Sequence, residues 1–205
     1  DDMEVALTAL AIELDAINTP PAGVAQPRRP EIPTGTITPA SIASILGAKI
    51  PEGAIVVDES VTTGREFFPE TAGAPPHDWI NNRGGSIGYG LPVAIGAAVA
   101  CPDRKVIALE GDGSAMYTLQ GLWTQAREGL DVTTIVYNNG SYAILNMEMG
   151  RVGAEPPRPT ATSLLDISRP DLSFVSLAEG LGVPAVRVDN AGALHTELAK
   201  SLHEP

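Results

Sequence analysis

The 205-residue chain sets 13 Lys+Arg against 25 Asp+Glu, a formal net charge of -12, and is 43% hydrophobic, enough for one domain of ordinary size with a flanking segment. That composition excludes disorder throughout, and the acidic balance without any basic run excludes a nucleic-acid backbone as partner. A single cysteine, Cys101, excludes an internal disulfide and a cysteine zinc cluster, and the cytoplasm is the expected compartment.

In chain order, DDMEVALTAL opens on acids rather than a basic segment, so no secretory signal is read there. Val5, Leu7, Leu10, Ile12, Leu14 and Ile17 predict an amphipathic helix over Met3 to Ile17. Six prolines between Asn18 and Pro39 then deny the chain helical geometry and predict a linker. The expected organisation is a tail helix of a preceding, absent domain over 1–17, a Pro-rich linker over 18–37, and a binding domain over 38–205, truncated after Glu204-Pro205.

Thr38 caps and Pro39 opens a helix carrying Ile42, Ile45 and Leu46, and Ala54 to Asp58 predicts a short buried strand. Gly84 to Pro102 is a 19-residue uncharged run, but its glycines and Pro92 leave only Val93 to Ala100 as a clean apolar helix, too short to cross a bilayer. Strands follow at Val106 to Leu109, Val132 to Tyr137 and Ala185 to Val188, alternating with helices at Ala115 to Glu128, Phe174 to Leu181 and Ala191 to Leu202. Such alternation predicts an α/β fold, doubly wound, with a mostly parallel sheet covered by helices on both faces.

Ligands of open parallel sheets sit at the carboxyl ends of strands, which directs attention to two loops. Glu110-Gly111-Asp112-Gly113-Ser114 follows one strand and Asn138-Asn139-Gly140-Ser141 the next. Each alone is an ordinary turn, with an Asp or Ser cap in one and paired asparagines in the other. Together, with 24 residues between Gly113 and Asn138, they bring one carboxylate and one amide oxygen to a single point. That is a hard-cation site of the kind magnesium prefers, with positions left for water and phosphate oxygens. Gly113 and Ser114 open a helix whose free amides favour an anion, so the inferred ligand is a magnesium-bound diphosphate.

GDG followed after 24 residues by NN resembles the diphosphate-binding motif of the thiamine diphosphate-dependent enzymes, and the stretch NRGGSIGYGLPVAIGAAVACPDRKVIALEGDGSAMYTLQGLWTQA around the GDG resembles in particular benzoylformate decarboxylase and the acetolactate synthase-like enzymes. The resemblance runs from about Thr38 to the C-terminus. It implies that Asp112, Asn139 and the carbonyl of Ser141 hold magnesium and that Gly111, Gly113 and Ser114 contact the diphosphate. It further implies that Ile87 stands between the two cofactor rings, that the Gly85 carbonyl accepts from the aminopyrimidine, and that Ser60 and Thr62 bind the far side of the cofactor. Ile144 and Leu145 fall where related decarboxylases line the substrate pocket, and an apolar substituent follows.

The activity so implied is decarboxylation of a 2-oxo acid or carboligation, in a homodimer or homotetramer. The activating glutamate comes from a separate pyrimidine-binding domain, so Glu59, Glu110 and Glu148 are not assigned that role and the isolated chain is expected to be inactive. Flavin (FAD) is left undecided, because its site in some relatives lies in a domain with no counterpart here. Leu145 replaces the glutamate of pyruvate decarboxylases, and the segment after the asparagines lacks the tryptophan of biosynthetic acetolactate synthases, which leaves the benzoylformate decarboxylase-like branch nearest. Two other readings are a non-catalytic assembly subunit that docks a pyrimidine-domain partner, and a nicotinamide-binding domain, the latter disfavoured because no G-x-G-x-x-G follows the first strand. His77, His195 and His203 share no ligand spacing and are read as solvated or capping. Tyr89, Trp79 and Trp123 are read as packing residues, and Cys101 receives no nucleophile role.

Overall fold

The computed structural model describes residues 2–20, 22–24, 26–154 and 158–203; Asp1, Pro21, Glu204 and Pro205 lie outside them. Among the described residues the elements begin with α1 (Met3–Glu13) and α2 (Pro39–Lys49), then β1 (Ile55–Glu59), a 3-10 turn (Thr63–Glu66), α3 (Phe67–Thr71) and β2 (Asp78–Asn81). They continue through α4 (Gly90–Ala100), β3 (Val106–Gly111), α5 (Asp112–Thr118), α6 (Gly121–Glu128) and β4 (Val132–Tyr137). Last come α7 (Ala143–Arg151), α8 (Pro159–Leu165), α9 (Phe174–Gly180) and α10 (Ala191–His203).

The four strands pair in parallel in the order β2-β1-β3-β4. β1 and β3 are nearly unbroken apolar runs because both of their faces are covered. Val56, Ile107 and Leu109 meet α2 and α10 on one face, and Ile55, Val57, Val106 and Ala108 meet Ala94 and Ala98 of α4 on the other. The two-residue alternation of strand side chains makes this division. After β1 the chain steps outward to β2, then returns to β3 on the opposite side of β1, so a crevice opens at the carboxyl ends of β1 and β3.

Local signals account for the best-seated helix. Thr38 and Ser41 form a reciprocal capping box, Pro39 supplies the first turn, and α2 buries Ile42, Ala43, Ile45 and Leu46. The predicted linker carries no helix or strand among the described residues, yet it is seated on the domain. The Arg29 guanidinium donates to the carbonyls of Gly47 and Ile50 at the end of α2, and Arg28 N–H donates to the Gly73 carbonyl.

Several expectations are corrected. The first helix stops at Glu13, four residues before Ile17, with Asp15 at φ 51°, and none of its residues is buried, so its apolar side chains form no seam. The single helix over Ala115 to Glu128 is two, α5 and α6, because Gly121 seats against Leu91 and Ile95 of α4 at the break. Ala185 to Val188 is no strand; Pro184 supplies no ladder donor, and Val188 instead packs its side chain on the main core. Trp123 is half exposed, with the Arg127 guanidinium 5.0 Å from its ring, rather than packed in the core. His195 is neither solvated nor capping at its Nε2, which is buried without a hydrogen-bond partner. β2, α3, α7 and α8 have no counterpart among the elements predicted from the sequence. Among the described residues no helix is long and apolar enough to cross a membrane.

Candidate functional site

Adjacent pairing of β3 and β4, with Gly111 opposite Tyr137, brings the two strand-end loops into contact. Asp112, 3% exposed, is the junction. Its Oδ2 accepts the amides of Asn139 (2.9 Å) and Gly140 (2.6 Å), and its Oδ1 accepts the amide of Gly113 (2.8 Å). The Asn139 side-chain oxygen accepts the Ser141 amide at 2.9 Å, and the Ser141 carbonyl accepts the Ala143 amide at 2.8 Å. A carboxylate has about four acceptor positions and each carbonyl-type oxygen two, so all three groups keep a lone pair available after these bonds. One carboxylate and two neutral oxygens fit a small hard dication that retains water or phosphate ligands. No cluster of three or more His, Cys, Asp or Glu side chains suited to a metal occurs among the described residues.

Gly113 lies under the Tyr142 ring, where a Cβ would come within 2.7 Å of a ring carbon. Ser114 is buried, its hydroxyl faces the carbonyls of Gly111 (3.1 Å) and Glu59 (3.4 Å), and its main-chain amide belongs to the first turn of α5, whose amides a helix leaves without an internal partner. The Asn139 loop is braced from behind: Tyr142 N–H donates to the Leu165 carbonyl and Ile167 N–H to the Gly140 carbonyl. Asp166 next to them is held below the usual carboxylate range by the hydroxyl and amide of Ser168.

The end of β1 is built differently. The Ser60 hydroxyl donates to the Asp58 carboxylate, so its proton is already committed, while Thr62 is half-buried. Between them Val61 sits at φ 49°, a strained backbone for a β-branched residue. Gly85 is exposed, and Ile87 is 48% exposed on the same loop. Leu145 lines an apolar groove of about 330 Å³ with Met149, Val152, Ala161 and Leu164; Ile144 is half-buried outside that lining.

Two residues of this crevice were not assigned to the site from sequence. Glu59 and Glu110 are register partners on β1 and β3, 3% and 1% exposed, and both face α4. The Glu110 oxygens lie near those of Glu59 but form no well-made hydrogen bond, and burial, then the Glu59 charge, pushes the Glu110 carboxyl up to about 9. The Tyr89 hydroxyl donates to the Asp58 carbonyl, and burial together with Asp58, Glu59 and Glu110 raises it above the ordinary tyrosine range. The signal for the acid pair lay in the alternation of β1 and β3, which sets two acids on one face beside Gly90.

Comparison with known proteins adds the family. The family model described as "Thiamine pyrophosphate enzyme, C-terminal TPP binding domain" matches residues 68–205. The chain is 56% identical over 201 residues to IlvX of Mycobacterium tuberculosis, which carries the name of an acetolactate synthase large subunit, covering 98% of this chain and 39% of that protein. It is 34% identical over 203 residues to benzoylformate decarboxylase of Pseudomonas aeruginosa, covering 96% of this chain and 37% of that one. Among solved structures, the thiamine diphosphate-dependent 4-hydroxybenzoylformate decarboxylase of Rhodococcus jostii superposes with a TM-score of 0.71 at 31% identity, covering 90% of this chain and 33% of that chain. The chain thus spans about two fifths of the length of these curated relatives.

Proposed function

We propose, for a chain that belongs to the thiamine pyrophosphate enzymes through their C-terminal TPP binding domain, that it holds the cofactor's diphosphate through a magnesium ion within an enzyme acting on a 2-oxo acid. Asp112, Asn139 and the Ser141 carbonyl would hold the magnesium, and Gly111, Gly113 and Ser114 would meet the diphosphate. The observation that carries this reading is the Asp112 carboxylate, which accepts the Asn139 and Gly140 amides and so ties the two strand-end loops together.

Bound thiamine diphosphate supplies a nucleophilic carbon and an electron sink for cleavage beside a carbonyl, and the protein supplies orientation and charge. Ile87 would stand between the cofactor rings and the Gly85 carbonyl would accept from the aminopyrimidine, with Ser60 and Thr62 on its far side. Ile144 and Leu145 would meet an apolar substituent of the substrate. The overall reaction is decarboxylation or carboligation, and the two relatives, one carrying the name of an acetolactate synthase large subunit and the other named benzoylformate decarboxylase, support that range. Residues 38–205 form the binding unit in this reading, and a pyrimidine-binding domain, usually a neighbouring subunit's, brings the activating glutamate.

The test is a calorimetric titration of thiamine diphosphate into the full-length protein, with magnesium and then with chelator, beside Asp112→Ala. Binding that requires both magnesium and Asp112 is expected. Binding indifferent to both would overturn the coordination.

A further inference from the structure

Glu59 has no part in the proposed cation site, yet both of its oxygens are engaged at the end of β1, on the face covered by α4. Oε1 accepts the Gly88 amide at 2.5 Å and Oε2 the Gly90 amide at 2.6 Å. The placement follows from the strand: Glu59 shares the face of Val57, the face covered by α4, one step beyond the last apolar residue on that side. Gly90 opens α4 directly above, and a Cβ there would overlap a Glu110 oxygen and crowd Glu59, so the acid pair and the glycine require one another.

These two bonds anchor the C-terminal end of a loop that bears exposed Ile87. The same loop is held from other sides by the Thr118 hydroxyl, which donates to the Gly88 carbonyl at 2.9 Å, and by the Asn82 side-chain amide, which donates to the Ser86 carbonyl. Only a carboxylate can meet the two amides with a separate acceptor oxygen each. Glutamine would present one oxygen and turn an NH2 donor against the second N–H.

We propose that Glu59 is a positioning residue: its carboxylate ties Gly88 and Gly90 to the end of β1 and so fixes the loop that presents Ile87 and the Gly85 carbonyl to the ring end of the cofactor. The inference rests on the reading above for the identity of the cofactor, and it divides the work between two acids, Asp112 for the diphosphate end and Glu59 for the ring end.

The test compares Glu59→Gln with wild type in the full-length protein, first by hydrogen exchange without cofactor and then by ligand titration. Exchange in the peptide spanning 86–90 should rise about tenfold or more, with β3 and β4 unchanged. Affinity for thiamine diphosphate with magnesium should fall about tenfold, while affinity for inorganic diphosphate with magnesium stays at the wild-type value. Glu110→Gln, which leaves the Glu59 carboxylate in place, should keep both amides protected. Should Glu59→Gln not fold, Glu59→Asp, which keeps the charge and shortens the reach, is read the same way. Unchanged exchange at 86–90, or an equal loss for both ligands, overturns the proposal. Wild-type protein that binds neither ligand overturns the cofactor reading instead, and the exchange comparison alone then decides whether Glu59 holds the loop.

Discussion

Asp112 and Glu59 end neighbouring strands, and each gathers two backbone amides from a distant glycine-bearing loop, yet the two carboxylates are set up for different ends. Asp112 takes Asn139 and Gly140 on one oxygen and Gly113 on the other, in a cluster where its own carboxylate, the Asn139 amide and the Ser141 carbonyl all retain lone pairs. Glu59 spends one oxygen on Gly88 and one on Gly90 and faces a second buried acid. In the proposed reading the first arrangement would receive a cation, whereas the second has both of its oxygens engaged within the protein. What separates them is the neighbour: amide and carbonyl oxygens beside Asp112 add negative potential that a dication would relieve, whereas a proton on Glu110 relieves the pair beside Glu59.

The largest effect should come from Asp112→Ala, which removes the one carboxylate among the residues proposed to hold the cation, together with three charge-assisted bonds. A loss of about 100-fold or more in magnesium-dependent diphosphate affinity is expected, read by calorimetry. Survival of magnesium dependence in that variant would place the cation elsewhere.

Next is Glu110→Gln, measured as stability against pH in metal-free protein with chelator. The folded Glu110 keeps its proton up to about 9, whereas an unfolded glutamate loses it near the ordinary 4.5. The folded state therefore binds more protons between those values, and wild-type stability falls as pH rises through that window, at up to about 1.4 kcal/mol per pH unit. The glutamine variant should lose that slope. Parallel wild-type and variant curves would show that Glu110 is ionised in the folded protein.

Gly88→Ala tests the loop that Glu59 holds. Gly88 lies at φ 85°, and a Cβ would come within 2.6 Å of the Tyr117 Cβ, so both backbone strain and overlap oppose it. A stability loss of about 1–3 kcal/mol in denaturant melts is expected. Smallest is Thr118→Val, which removes only the bond to the Gly88 carbonyl and should cost about 1 kcal/mol, with exchange rising at 86–90 and not at 139–141. A rise at both loops would mean that they move together.

The same contrast marks what could be read from the sequence. The GDG and NN loops carry their own punctuation, and the apolar runs of β1 and β3 state their burial, so the parallel sheet and the meeting of Asp112 with Asn139 follow from local pattern. Strand alternation puts Glu59 and Glu110 each on a definite face, but the two meet only once the register of β1 against β3 is known, which neither strand alone states. Tertiary packing decided the other differences. The break between α5 and α6 is set by Leu91 and Ile95 against Gly121, a contact between distant segments. α1 and α2 have 11 residues each, but only α2 has a surface to cover, and α1 buries nothing. Hydrophobic content formed both helices; spacing and a partner face seated one of them.

The most direct test of the central claim, that a metal bridges the protein to a diphosphate at Asp112, is electron paramagnetic resonance of manganese in the full-length protein with thiamine diphosphate and, separately, with thiamine, which lacks the phosphates. The account predicts a tightly bound manganese signal that forms with thiamine diphosphate, is weak with thiamine, and is lost in Asn139→Ala. An equally strong signal with thiamine, or one untouched by loss of Asn139, would contradict it.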